Sequence, residues 1–165
     1  ELKKLADLNP SSSAGRSRYQ LTASTNGVIL AATTSNRILS FDPGATDSTL
    51  VCDGCGEPSI SENGEVIAYT KFITTFPSTS PTNYVMVVTP TSTYQVRVLE
   101  LEKMVVQKPV VSPDGRYVLL RARQAYPINN FFNGYQPMDE FYVHDLVRSN
   151  TYPVNFFISN QIISI

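Results

Sequence analysis

The chain is poor in residues that do chemistry, and those it has are few enough to take one at a time. Cys52-Asp53-Gly54-Cys55 holds both cysteines. Covalent haem attachment needs a His directly after the second Cys, and Gly56 stands there. A zinc site needs a second pair of ligands, yet no other cysteine exists and His144 is the sole histidine. A thioredoxin-like redox pair expects a helix after a parallel strand, and no helical pattern follows. Two readings remain: a local disulfide in an oxidising compartment, or two plain thiols. His144 sits between Val143 and Asp145 without a basic or nucleophilic partner nearby in sequence, so it is expected to be hydrogen-bonded to a neighbouring sheet or to face solvent. Asp139 and Glu140 are adjacent and should point to opposite sides of a strand, which is poor geometry for paired acid–base work. The sequence contains no Gly-x-Ser-x-Gly, His-Glu-x-x-His or phosphate-cradling glycine loop. The expectation is no catalytic residue, no metal and no cofactor.

What positions these residues is a recurring hairpin. Lys108-Pro109-Val110-Val111-Ser112-Pro113-Asp114-Gly115-Arg116-Tyr117-Val118 reads as apolar strand, tight turn and apolar strand. Pro113 pre-sets a type I turn, Asp114 suits its next position, and Gly115 takes the left-handed conformation that a β-carbon would strain. Aligned on the glycine, Ser61-Glu62-Asn63-Gly64 repeats the motif, preceded by Glu57-Pro58. Ser24-Thr25-Asn26-Gly27 repeats it more weakly, with Leu21 in place of the proline. Asn replaces Asp because both side chains bond nearby backbone and accept turn geometry. After each turn come a second block (residues 37–42, 84–89 and 141–145) and a third (49–51, 94–98 and 151–154). Asp42 and Asp145 match in this scheme and are expected to cap turns. Each unit therefore reads as four antiparallel strands, the signature of a propeller blade.

The repeat resembles that of TolB-like β-propellers, relatives of WD-repeat proteins, whose hallmark is Ser-Pro-Asp-Gly before an apolar strand. The match is full at Ser112 to Gly115, partial at Ser61 to Gly64 and faint at Ser24 to Gly27, and spans residues 19–158. The resemblance implies an all-β fold of three four-stranded blades at about 19–51, 56–101 and 107–154. It also implies a periplasmic or extracellular family that works as docking platforms for other proteins. An ordinary antiparallel sandwich with similar hairpins is the competing architecture. Related propellers also serve as non-catalytic domains of serine peptidases, and a structural subunit of a filament or surface assembly is a third reading.

Three blades fall short of the four or more that close a propeller. The length therefore predicts a segment of a longer propeller, or a subunit whose partner supplies the missing blades, with a homo-oligomer among the options. The apolar run Phe156 to Ile165 is expected to start a further strand. Residues 1–18 read as a short helix and a Ser-rich linker.

The motif glycines stand 37 and then 51 residues apart. The extra length falls between the second and third strands of a unit, at residues 73–83 and 124–140. In an up-and-down blade this loop shares a rim with the connector to the next blade, here Cys52 to Cys55. Insertions confined to one side of a repeat protein often mark its binding face. Phe76, Tyr126, Phe131, Phe132 and Tyr135 are therefore the candidate binding residues.

Composition narrows the partner. A net charge of -1 leaves no basic footprint for nucleic acid. Charged residues make up 16%, while Ser and Thr number 17 and 15, a composition that suits a secreted or cell-surface protein and favours the disulfide for Cys52 and Cys55. No apolar run is long enough to span a bilayer, so direct membrane insertion is not expected.

Overall fold

The computed structural model describes residues 20–73, 82–96, 104–124 and 139–154. Twelve strands form three antiparallel four-stranded sheets, each built from consecutive strands. The first sheet holds β1 (Gln20–Ala23), β2 (Ile29–Ala32), β3 (Arg37–Phe41) and β4 (Thr49–Asp53). The second holds β5 (Cys55–Ile60), β6 (Ile67–Ile73), β7 (Thr82–Val88) and β8 (Thr93–Gln95). The third holds β9 (Met104–Val111), β10 (Tyr117–Gln124), β11 (Asp139–Asp145) and β12 (Asn150–Pro153). β5 packs on β1 and β2, and β9 on β5, β6 and β7, so the sheets stack face to face in sequence order.

The middle strands carry apolar side chains on both faces because the sheets cover one another, as in fully buried strands. Alternate residues supply two separate seams. Leu30, Ala32 and Ile38 of the first sheet meet Ile60 and Tyr69 of the second, with Cys55 among them. Ala68, Val85 and Val87 point the other way and meet Val111, Val118, Leu120, Ala122 and Tyr142 of the third sheet. Each fully buried Leu or Val here contributes about 1.5–3 kcal/mol relative to exposure.

The Ser-x-Asx-Gly turns show why each residue type is required. In all three, the N–H of the glycine donates to the carbonyl of the serine, at 3.1, 3.0 and 2.9 Å for Gly27, Gly64 and Gly115. The glycines have φ of +89°, +78° and +71°, the left-handed region. The serine hydroxyl accepts the N–H of the residue that starts the return, Val28, Val66 or Tyr117, at 3.1, 3.0 and 2.9 Å. It donates in turn to the side-chain oxygen of Asn26, Asn63 or Asp114. That oxygen closes the circuit by accepting a backbone N–H two residues on, from Val28, Glu65 or Arg116. The Ser112 hydroxyl, followed by the Arg116 N–H, holds the Asp114 carboxyl below its ordinary range.

Two local features depart from the sequence alignment. The first turn is one residue shorter than the others: Ser24 N–H bonds Val28 O, whereas Ser61 bonds Val66 and Ser112 bonds Tyr117. Alignment on glycine therefore runs one position out of register along β2, and Ile29, Ile67 and Val118 are the equivalent residues. The Glu57-Pro58 and Lys108-Pro109 pairs are β-bulges rather than plain strand, with Glu57 at φ +55° and Lys108 at +51°.

Candidate functional site

The two rims of the stacked sheets are built differently. One is made of the turns. The Thr25 N–H and hydroxyl both donate to Glu62 O, at 2.9 and 2.7 Å, and Glu62 N–H donates to Pro113 O at 2.9 Å. The Asn26 amide reaches Asn63 O at 2.7 Å. The three turns thus form one hydrogen-bonded ladder from sheet to sheet. Packing is close enough that a Cβ on Gly64 would lie 2.8 Å from the Asn26 amide, and one on Gly115 3.0 Å from Val66. Pro43, in the β3–β4 turn, lies on this same rim, 3.0 Å from the place a Cβ on Gly27 would take.

The opposite rim is organised around the connector between the first two sheets. β4 ends at Asp53 and β5 begins at Cys55, so Gly54, at φ +67°, is the entire link. Cys52 and Cys55 form a disulfide with Cα atoms 5.9 Å apart. Cys55 is fully buried in the first seam, and Cys52 is half-buried at the rim. The β2–β3 loop docks here through Cys55 N–H to Asn36 O at 2.7 Å. The end of β6 docks through Phe72 N–H to Gly54 O at 2.9 Å, and the Phe72 ring covers Gly56, where a Cβ would come within 2.9 Å of it. The Lys71 ammonium donates to Asp53 O and lies 3.7 Å from Cys52 Sγ. Chemically this is a cross-link between two sheets, with neither sulfur held as a thiolate.

Of the sequence-predicted residues, the structure brings Cys52 and Cys55 together on this rim and lines up Ser24, Asn26, Gly27, Ser61, Asn63, Gly64, Ser112, Pro113, Asp114 and Gly115 on the other. Phe76, Tyr126, Phe131, Phe132 and Tyr135 lie outside the described residues, as do residues 1–18 and the run from Phe156 to Ile165. Of the described strands flanking these aromatics, β6 is anchored on the connector side, ending at Ile73 one residue after the Phe72–Gly54 bond. β10, its equivalent in the third sheet, runs in the same sense and ends at Gln124.

His144 and Asp145 have structural surroundings. His144 is buried in the second seam beside the Tyr94 ring, 6.4 Å away between centroids. Its Nδ1 bonds Thr151 Oγ1 at 2.8 Å, within its own sheet rather than across to a neighbour or out to solvent, and its Nε2 has no partner among the described residues. Burial pushes the imidazole pKa below its usual 6.5, opposed by the Asp145 charge. Asp145 caps the β11–β12 turn, accepting Val147 N–H at 2.9 Å and Arg148 N–H at 3.1 Å, with Arg116 at 3.4 Å. Burial pushes its carboxyl up, but these N–H groups and the guanidinium outweigh burial and hold it below its ordinary range. Asp42 plays its turn role mainly through backbone, its carbonyl receiving Ala45 N–H at 3.1 Å. Glu140 accepts the Tyr142 hydroxyl at 2.6 Å. Among the described residues no three His, Cys, Asp or Glu side chains gather to hold a metal.

Three-dimensional comparison decides the architecture. The tricorn protease aligns over 83% of this chain with a TM-score of 0.60 at 12% identity, covering 14% of that protein. TolB from Acinetobacter baumannii aligns over 87% with a TM-score of 0.54 at 14% identity, covering 34% of its chain. The β-propeller domain of the Trilobed protease from Pyrococcus furiosus aligns over 84% with a TM-score of 0.54 at 12% identity, covering 44% of its chain. The fold is that of a β-propeller. Each sheet is a blade, the Ser-x-Asx-Gly turns join one blade to the next, and the chain spans less than half the length of each of these proteins. At such identities the likeness concerns architecture alone. No family model and no curated protein matches the sequence.

Proposed function

We propose that these blades act as a non-catalytic docking module for another protein, in the periplasm or outside the cell, through the connector rim. The observation that carries this reading is the asymmetry of the rims. The turn rim uses its polar groups on the neighbouring blade, whereas the connector rim is the side from which β6 and β10 lead into segments 74–81 and 125–138, both longer than the β2–β3 link of the first blade. The Cys52–Cys55 disulfide supports an oxidising location. Conversion of both Phe131 and Phe132 to Ser tests the reading: capture of a partner from an envelope or secreted extract should fall severalfold with the melting temperature unchanged. Unfolding of the variant, or undiminished capture, would remove the rim from consideration.

A second reading, a propeller domain belonging to a larger peptidase, is favoured by the peptidases among the structural neighbours. A continuation of the chain carrying a Gly-x-Ser-x-Gly nucleophile, with peptidase activity lost on its Ser→Ala change, would decide for it.

A further inference from the structure

The two sulfurs of the connector are unequal, and the inequality goes beyond what a cross-link needs. Cys55 is fully buried in the first seam with Leu30, Ile38, Ile60 and Tyr69, whereas Cys52 is half-buried at the rim. An incoming group therefore meets Cys52 Sγ first. The Lys71 ammonium lies 3.7 Å from that same sulfur and is steadied by its bond to Asp53 O. A cation beside a sulfur favours its thiolate, as a helix N-terminus does in other Cys-x-x-Cys pairs. Here one lysine on β6 supplies what no helix does. The other charges at this point are Asp53, whose carboxylate accepts the Gly54 N–H at 2.9 Å, and Arg37, opposite Asp53 in the β3–β4 register. Asp53 O also lies 3.5 Å from Cys55 Sγ, within reach of an S–H on that sulfur.

As a clamp the pair is at the weak end of its kind. The Cys55 N–H donates to Asn36 O and the Phe72 N–H to Gly54 O without it, and only Asp53 and Gly54 stand between the cysteines, so closing the loop removes little chain entropy. We propose that Cys52–Cys55 is a thiol–disulfide exchange site whose co-reactant is a cysteine pair of another protein, with Cys52 as the sulfur that bonds to it. In the reducing direction a thiolate of the partner dithiol attacks Cys52 Sγ. A partner–Cys52 disulfide forms, the Cys52–Cys55 bond breaks, and its electron pair leaves on Cys55, which takes a proton from water and stays buried as a thiol. The partner's second thiolate then attacks the partner sulfur of the mixed disulfide, and Cys52 leaves as a thiolate beside Lys71. The partner is oxidised to a disulfide and the connector reduced, two electrons in all. The reverse sequence begins with the Cys52 thiolate on a partner disulfide and ends with Cys55 resolving the mixed disulfide, so Cys52 faces the partner both ways. The backbone bonds around Gly54 depend on neither sulfur, which lets exchange proceed in the folded chain. The inference does not rest on the docking role proposed for this rim.

The test follows reduction of the native whole chain by dithiothreitol and by reduced thioredoxin as a protein dithiol, with acid quench, alkylation and intact mass. The rate should rise in proportion to either dithiol, because the disulfide is attacked in the folded state. A rate that levels off at the unfolding rate, or a native chain that thioredoxin leaves oxidised, would overturn the proposal and make the pair a staple alone. Single-cysteine variants then locate the reacting sulfur. In Cys55→Ser, the free Cys52 should form a mixed disulfide with oxidised glutathione about a hundredfold faster than the free Cys55 of Cys52→Ser. Adding Lys71→Gln to Cys55→Ser should slow that reaction about tenfold at about pH 6 and far less at about pH 9, where the thiolate forms without help. Circular dichroism of the variants should match the parent, and the reduction of the parent chain needs no variant. Equal rates for the two single cysteines, or a Lys71→Gln effect that is absent or the same at both pH values, would overturn the assignment.

Discussion

The turn rim and the connector rim are made of the same kind of strand ends, yet they are held by different physics. On the turn rim, three related Ser-x-Asx-Gly motifs interlock through backbone carbonyls and N–H groups, helped by the Thr25 hydroxyl and the Asn26 amide, so each blade completes the hydrogen bonding of its neighbour. On the connector rim, a single disulfide and two backbone bonds gather unlike segments around Gly54. The difference teaches that repetition in sequence marks the scaffold side, because the ladder needs each turn to bring a carbonyl to the N–H of the turn before it. The side that lacks repetition is free to vary in length without disturbing the seams.

Substitution at Gly64 should strike the turn rim hardest. Gly64→Ala combines φ of +78° with a Cβ 2.8 Å from the Asn26 amide, itself fixed by its bond to Asn63 O. A loss of about 2–3 kcal/mol in chemical denaturation is expected. Gly44→Ala sharpens the point: φ is +79° but nothing lies within 4 Å, so the conformational part alone remains, about 1–2 kcal/mol. Equal losses at the two glycines would mean that the turns do not touch.

On the connector rim, reduction of the disulfide, or Cys52→Ser with Cys55→Ser, should cost about 2 kcal/mol, since the loop it closes is very short. The turn-rim amides of Thr25 and Glu62 should then speed up only in step with those of Leu30 and Leu120, because the ladder itself is untouched. Ser61→Ala comes next. Its fully buried hydroxyl accepts Val66 N–H and donates to Asn63, and its removal should cost about 1–2 kcal/mol by stranding that N–H. The smallest effect concerns neither rim but the seam between them. His144 is neutral in the fold with its pKa below 6.5, so the unfolded chain binds the proton first. Its contribution to stability should be complete above pH 6.5, decline as pH falls through that value, and level off below the folded-state pKa. His144→Gln should flatten this part of the pH profile of the melting temperature.

Much of the scaffold was legible before any coordinates. The three glycines, the serines preceding them and the unalternating apolar strands each follow from local chemistry, and they predict the hairpins at their observed places. The shortened first turn was hidden because Val28 is as apolar as the strand residue it displaces. The bulges were hidden because Glu57 and Lys108 precede proline, a place that ordinarily reads as extended chain. Their left-handed backbone goes with a contact 51 residues away, Glu57 to Lys108 N–H, which no local pattern encodes. The connector rim was legible in its cysteines, whose redox state the composition favoured and the structure shows as a disulfide. Its candidate aromatics, from Phe76 to Tyr135, lie outside the described residues.

The central claim is that the three hairpin units stack into one propeller wedge through their turns. Amide hydrogen exchange at Thr25 and Glu62 tests it most directly. In an isolated type I turn the N–H at this position has no partner, whereas here it donates to the next blade at 2.9 Å in both cases. Exchange of both amides as slow as that of Leu30 and Leu120 in the middle strands is the predicted result. Rapid exchange at Thr25 and Glu62, with Gly64 and Gly115 still protected inside their own turns, would contradict it and leave three hairpin sheets packed in some other way.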